Sequence, residues 1–175
     1  MHRRWSATCA AQQTAAVRIL LSPDSRRSVA ARACARGEEL FRFTGSVQRT
    51  PGMYSLMVGR EMHMVAPPEV PEPAWIFMEH SFSPSVALHH VSVSSTAATL
   101  AATAAVDLQP DDLVSFDYCL HEWLMSEPFR DAESGRLVDG FANLTEEEQD
   151  LALPRAQPHI RLLHAQYLFG QSSRC

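Results

Sequence analysis

The sequence predicts a single domain of the α+β class that is mostly β. Its 175 residues, 46% of them hydrophobic, are enough for one compact core and too few for two ordinary domains. Short runs of apolar or β-branched residues, separated by turn residues, fill most of the chain. The clear helical signals come only from residue 145 onward. Short strands followed by helices are typical of an α+β domain.

Five short apolar runs in the first part of the chain predict five strands. Gly37 lies in the turn between the second run and the third. The loop 59–61 contains a glycine and has the length of a hairpin connection between the fourth run and the fifth. The predicted strands are residues 17–21, 29–35, 40–43, 53–58 and 62–65.

A proline-rich loop separates these strands from a second group. Four prolines lie within residues 67–73, so this stretch cannot be regular structure, and the ordered chain is expected to resume at Trp75. A turn at residues 107–112 precedes the last strand. An alanine-rich helix is the alternative for residues 97–105. The predicted strands of this group are 86–93, 99–106 and 113–116.

Two helices are predicted at the end of the chain. Thr145, with Glu148 three residues later, forms the pattern of a capping box, in which each residue's side chain accepts the backbone N–H of the other. Pro154 interrupts this first helix because proline cannot donate the helical hydrogen bond. A second helix is expected from about residue 159 to residue 169.

Composition and charge exclude several functional classes. The formal charge of −5 does not favour nonspecific binding to nucleic acid or to a membrane surface. The four cysteines lie far apart, so neither a zinc site nor a disulfide framework is indicated. No apolar run approaches the roughly 20 residues that span a bilayer. We therefore expect an intracellular, soluble protein of the nucleus or cytoplasm.

Residues 1–15 are expected to be a disordered or leader segment. The first 23 residues contain three arginines, no acid and many alanine, serine and threonine residues, a composition compatible with an organellar transit peptide. The alternative is a disordered start with no targeting role.

Several segments, in the order and at the spacing of a known family, carry a specific resemblance. They are SVAA at 28–31 with GEEL at 37–40, WIFMEHSFSPS at 75–85, LVSFDY at 113–118 with EWLMSEPF at 122–129, and GFANL at 140–144. Together they resemble the SET-domain family of protein lysine methyltransferases, especially its small stand-alone members. Phe-Asp-Tyr alone would be a weak signal, and the order of the other matches gives it weight.

The resemblance implies a SET-domain fold over residues 16–129, with short strands in several small sheets and a knot-like C-terminal segment. Residues 130–175 would then form a lid like the post-SET segment, followed by C-terminal helices. The implied function is protein-lysine N-methylation with S-adenosyl-L-methionine as the cofactor. The alternative is a catalytically degenerate SET domain that acts as a peptide-binding or scaffold module. The implied partner is a lysine-containing protein or peptide such as a histone tail, and a homodimer could complete the substrate groove.

Residue roles follow from the matched positions. Tyr118 is implied to be catalytic, because in the family this hydroxyl lies near the transferring methyl group; without the match, a tyrosine capping a strand would be the simpler interpretation. For His80 the alternative is a structural histidine, and for each aromatic residue it is core packing. No metal ligand is implied. The remaining candidates are Arg26, Arg27, Ser28, Glu79, His80, Phe129 and Phe141 for the cofactor, and Tyr54, Phe116 and Trp123 for the substrate channel.

Three features depart from the family pattern. Residues 25–28 read Ser-Arg-Arg-Ser where the family has Gly-x-Gly, so side chains stand where the backbone would approach the cofactor. Glu79 replaces an asparagine, which exchanges a neutral amide for an anion that cannot donate a hydrogen bond. Residues 130–136 contain none of the zinc-binding cysteines of the post-SET segment, so a lid here would close without metal.

Overall fold

The computed structural model describes residues 16–21, 25–70 and 72–172, with side chains described up to residue 170. The predicted leader segment, residues 1–15, lies outside the described residues. In chain order the elements are β1 Val17–Leu21, β2 Arg26–Ala30, β3 Glu39–Gln48, β4 Leu56–Gly59, β5 Met62–Val65, β6 Glu79–His80, β7 Val86–Val93, β8 Ala97–Ala104, β9 Ser115–Phe116, β10 Phe129–Arg130, β11 Leu137–Val138, α1 Glu146–Ala152 and α2 Pro158–Ser172.

The largest sheet has five antiparallel strands in the order β4-β5-β3-β8-β7. Its β3–β8 pairing sets Phe43 opposite Leu100, and both side chains are buried in the main core. Three two-stranded sheets, β1-β2, β6-β9 and β10-β11, surround it. Several small sheets and two C-terminal helices confirm the predicted mostly β, α+β class.

Residues 97–104 form a strand, so the helical alternative is wrong. Every second residue of this strand is buried, which is the period of a strand with one face on the core. Pairing with a neighbour on each side satisfies the backbone of β8 and outweighs the helix propensity of alanine. The buried residues on this face are Ala98, Leu100, Ala102 and Ala104.

Some strand boundaries differ from the prediction. The second strand is Arg26–Ala30, and Cys34 beyond it pairs with Leu108 as an isolated bridge outside the sheets. The fourth strand begins at Leu56, because residues 52–55 form a turn closed by the Ser55 hydroxyl on the backbone of Gly52. The last strand of the middle region is only Ser115–Phe116.

The C-terminal helices pack on a second, smaller core. Phe141 and Ile160 are fully buried there, together with Leu120 from the middle of the chain. The predicted capping box is present: the Thr145 hydroxyl accepts from the Glu148 N–H, and the Glu148 carboxylate accepts from the Thr145 N–H. Among the described residues, no helix is long and apolar enough to cross a membrane.

Candidate functional site

Two cavities adjoin at Tyr118 and Met78, which line both of them. The wide groove has a volume of about 1020 Å³, and its walls combine charged side chains with apolar and aromatic ones and include the segment 125–132. The narrow cavity has a volume of about 140 Å³ and mostly apolar walls. A bulky polar molecule and a thin apolar chain could therefore meet at one tyrosine.

A parallel pair of very short strands builds this junction. In the β6–β9 pairing, Glu79 lies opposite Ser115 and His80 opposite Phe116. Tyr118 follows β9 as the first residue of a 3-10 turn, Tyr118–Leu120. The carboxylate of Asp117 caps this turn by accepting the Cys119 N–H at 3.0 Å. Two segments distant in sequence thus face the same groove.

The Tyr118 side chain is fixed at the junction by its own hydrogen bonds. Its hydroxyl donates to the Met78 carbonyl at 2.7 Å, and its backbone N–H donates to Nδ1 of His80 at 3.2 Å. Burial, with contributions from Glu79 and Glu122, raises the pKa of Tyr118 to about 12. The hydroxyl therefore stays protonated at neutral pH, and its oxygen lone pairs remain available as acceptors.

His80 contributes a neutral ring with one unused donor. Burial is the main reason that its pKa is lowered to about 4. Because Nδ1 accepts the Tyr118 N–H, the proton of the neutral ring resides on Nε2. That nitrogen is buried and has no hydrogen-bond partner among the described residues. His80 thus carries, beside the wide groove, a donor with no partner among the described residues.

Aromatic rings enclose His80 on several sides. Edge-to-face contacts join its ring to Phe82 at 4.5 Å, to Tyr118 at 5.3 Å and to Phe129 at 5.9 Å between ring centroids. Phe116 packs on Tyr118 at 4.6 Å and continues this cluster into the narrow cavity. Such contacts hold the rings in defined orientations.

Glu79 forms an ion pair that partly neutralises its negative charge. Its carboxylate lies 2.9 Å from Nε of Arg27, and both residues line the wide groove. The neighbouring Arg26 forms a second ion pair, with Glu72. The guanidinium of Arg27 therefore offsets much of the negative charge that Glu79 brings to this groove.

Glu122 is a site residue that the sequence reasoning missed. It lines the narrow cavity beside Tyr118, with 8% of its surface exposed, and its Oε1 accepts the Met57 N–H at 2.7 Å. Burial raises the pKa of this carboxyl to about 7. In the sequence, Glu122 stands four residues after Tyr118 and is the first residue of the segment EWLMSEPF. An acid next to Trp123 in an apolar stretch was the available signal.

The structure brings together most of the candidates and leaves three apart. Ser28 is fully buried, and its hydroxyl donates to the Ala74 carbonyl. Phe141 is also fully buried, in the second core, and stacks on Trp123 at 5.9 Å; Trp123 in turn contacts Tyr167. None of these three lines either cavity, because packing takes up their side chains. Those that line at least one cavity are Arg26, Arg27, Tyr54, Glu79, His80, Phe116, Tyr118 and Phe129.

Within the described part of the chain, no group of three or more histidine, cysteine, aspartate or glutamate residues could hold a metal ion. Cys34 and Cys119 are both buried free thiols.

Comparisons with known proteins give matches in structure only. No protein family and no curated protein matches the sequence. A crystal structure of a candidate histone methyltransferase from Plasmodium falciparum matches 59% of this chain and 92% of its own, with 17% identity and a TM-score of 0.46. The crystal structure of CpSET8 from Cryptosporidium matches 58% of this chain, with 14% identity and a TM-score of 0.47. The match spans 56% of that second protein.

Proposed function

We propose that this protein has a SET-like fold and transfers a methyl group from S-adenosyl-L-methionine to a lysine side chain of another protein. The observation that carries the proposal is the meeting of a wide groove with charged side chains and a narrow, mostly apolar cavity at Tyr118. Methyl transfer to an amine is an in-line displacement, so two ligands must enter from different sides and meet at one point. The sequence motifs around residues 80 and 118 support the same function.

The narrow cavity suits a lysine side chain. Its volume of about 140 Å³ is close to that of an engineered apolar cavity, roughly 150 Å³, that holds benzene. Trp75, Phe116 and Met125 supply apolar walls for a four-carbon stem. Such walls also disfavour the charged ammonium, and only the neutral amine has the lone pair that attacks the methyl group.

The wide groove suits the cofactor. Its volume of about 1020 Å³ lies at the upper end of the usual range for ligand pockets. The bound cofactor would supply an electrophilic methyl group on a sulfonium. Arg26 and Arg27 could hold its carboxylate, while the unused Nε2–H of His80 could donate to a ring nitrogen or a hydroxyl. Phe129 offers a partly exposed ring for stacking.

Tyr118 orients the amine rather than removing its proton. The hydroxyl hydrogen is directed to the Met78 carbonyl, so the oxygen can accept a hydrogen bond from the amine. A hydroxyl whose pKa is raised to about 12 is the acceptor that stays neutral throughout the physiological range. The aromatic residues around Tyr118 exclude water, which would otherwise compete with the amine for the Tyr118 oxygen and for the methyl group.

The test combines binding and transfer. Calorimetry with S-adenosylmethionine should show saturable binding, and labelled methyl groups should appear on histones or on cell-extract protein. The variant Tyr118→Phe should lose at least about 100-fold in transfer while it keeps cofactor binding, because positioning contacts are worth that much. Tyr167→Phe is the matched control. Tyr167 is an exposed residue of α2 that lines neither cavity, so methyl transfer should not change. Equal loss in both variants would refute the role of Tyr118.

The second candidate is a SET-like module that binds peptide without catalysis. The observation in its favour is that Arg26 and Arg27, in the segment where the family has Gly-x-Gly, form ion pairs with Glu72 and Glu79. Calorimetry distinguishes the two candidate functions. The absence of binding heat at millimolar S-adenosylmethionine would exclude the methyltransferase and leave the peptide-binding module. Glu79→Asn, which restores the family residue, is expected to tighten cofactor binding.

A further inference from the structure

A third cavity lies beside the candidate active site and is not used by the proposed reaction. Its volume is about 550 Å³, within the range of small-molecule pockets. Phe116 lines this cavity as well as the narrow one, so the two share a wall. The strand β7 and the residues between α1 and α2 form other walls.

The charges that line this cavity are predominantly positive. Arg155 and Arg161 are exposed on its lining, and neither forms an ion pair with an acid among the described residues. Asp117 is the single acid among the described residues that line it. The Asp117 carboxylate already accepts the Cys119 N–H, and burial raises its pKa to about 6. Two guanidinium groups therefore outnumber one carboxyl, with which Arg155 interacts electrostatically.

Two histidines of the same lining have nitrogens with no partner. Nε2 of His90 and Nδ1 of His121 are buried and make no hydrogen bond within the described residues, and only 2% of His121 is exposed. A buried polar group left unsatisfied costs about 1–3 kcal/mol, so a ligand group that accepts from these nitrogens would be favoured.

Packing holds these two rings in place. His90 stacks on His159 at 5.3 Å between ring centroids, and Nε2 of His159 donates to the His121 carbonyl at 2.8 Å. His121 also lies edge-on to Phe116. In addition, Pro158 at the start of α2 lines the cavity, and a helix N-terminus favours a nearby negative charge.

We propose that this cavity binds a small organic anion, whose phosphate or carboxylate group pairs with Arg155 and Arg161 and accepts hydrogen bonds from the rings of His90 and His121. The apolar part of the ligand would lie against Leu88 and Leu120, which also line the cavity. Neutral imidazole can supply the needed N–H, since each ring carries one proton. The site does not require that the neighbouring groove transfers methyl groups.

The test is a titration of the full chain with phenyl phosphate, at constant ionic strength, followed by nitrogen NMR of the histidine rings. Inorganic phosphate and benzoate are titrated in parallel. A phenyl compound that binds better than inorganic phosphate indicates an organic ligand, and the stronger of phenyl phosphate and benzoate identifies the anionic group. We expect saturable shifts at His90 and His121. Shifts that rise linearly without saturation for all three probes would overturn the proposal.

Two variants separate the site from general electrostatic attraction. The double variant Arg155→Gln with Arg161→Gln should bind at least about tenfold more weakly, because charge-assisted hydrogen bonds are lost. Arg49→Gln removes one exposed arginine that lines none of the three cavities and should bind as the unaltered chain does. All three arginines are exposed, so the variants should fold. Equal affinity in the double variant and in Arg49→Gln would also overturn the proposal.

Discussion

Replacing Glu122 by glutamine is expected to stabilise the protein at pH 8 and to leave its stability at pH 4 almost unchanged. Glutamine has the shape of glutamate, and its amide oxygen can still accept the Met57 N–H that now reaches Oε1 at 2.7 Å. The substitution therefore removes the charge and keeps the buried hydrogen bond. Most single substitutions at buried positions destabilise a protein, so a gain would be a distinctive result.

The size of the effect follows from the pKa of this carboxyl. Burial raises it from the usual 4.5 to about 7, because ionisation is disfavoured away from water. A group with a raised pKa in the folded state contributes its full stability below the unfolded value and loses it as the pH rises through the folded one. At about 1.4 kcal/mol for each pH unit between those values, the ionised carboxylate costs about 3 kcal/mol at pH 8.

Urea unfolding followed by circular dichroism at pH 4 and pH 8 measures this difference. The free energies of unfolding of the two proteins should nearly agree at pH 4, where Glu122 is mostly protonated in both the folded and the unfolded state, and should differ by about 2–3 kcal/mol at pH 8. Glu127→Gln, an exposed acid of the wide groove, is the control and should change either value by less than about 0.5 kcal/mol. A Glu122→Gln protein with the same difference at both pH values would refute the reasoning.

Three further substitutions test the C-terminal part of the fold by the same urea measurement. Phe141→Ala should lower the free energy of unfolding by about 3–5 kcal/mol, since this ring is fully buried; a loss under about 1 kcal/mol would contradict its place in the second core. Gly140→Ala should lose more than about 2 kcal/mol, because Gly140 has φ +87° and a Cβ would lie 2.7 Å from the Trp123 carbonyl oxygen; an unchanged midpoint would contradict this conformation. Thr145→Ala should lose about 1 kcal/mol through the capping box with Glu148, and Thr145→Ser should restore most of it.

Local patterns predicted the elements whose signals lie within a few residues. The hairpin β4–β5 followed from a short glycine loop between two apolar runs, and the capping box followed from Thr145 and Glu148 alone. The strand at 97–104 was left between two alternatives, because alanine favours a helix and only the neighbouring strands β3 and β7 make the extended form better. Local sequence patterns therefore predicted the fold class more accurately than they predicted where each strand begins and ends.

The candidate site was predicted in part, for an equally physical reason. Motif matching indicated His80 and Tyr118, which the structure joins through the Tyr118 N–H and Nδ1 of His80. It also indicated Phe141, whose ring is covered by the C-terminal helices. A motif gives residue identity and spacing, whereas burial depends on which distant segments pack over each side chain. Glu122 was missed because its raised pKa comes from that packing.

What the sequence by itself determined is therefore the mostly β class, the helical end and the residues that carry the resemblance. These depend on short-range periodicity, turn residues and capping, which act over a few positions. Only the tertiary structure decided which candidates share a cavity, where the unpartnered nitrogens of His80, His90 and His121 lie, and that Glu79 is paired with Arg27. Those properties arise from contacts between residues far apart in the chain, which local sequence patterns do not encode.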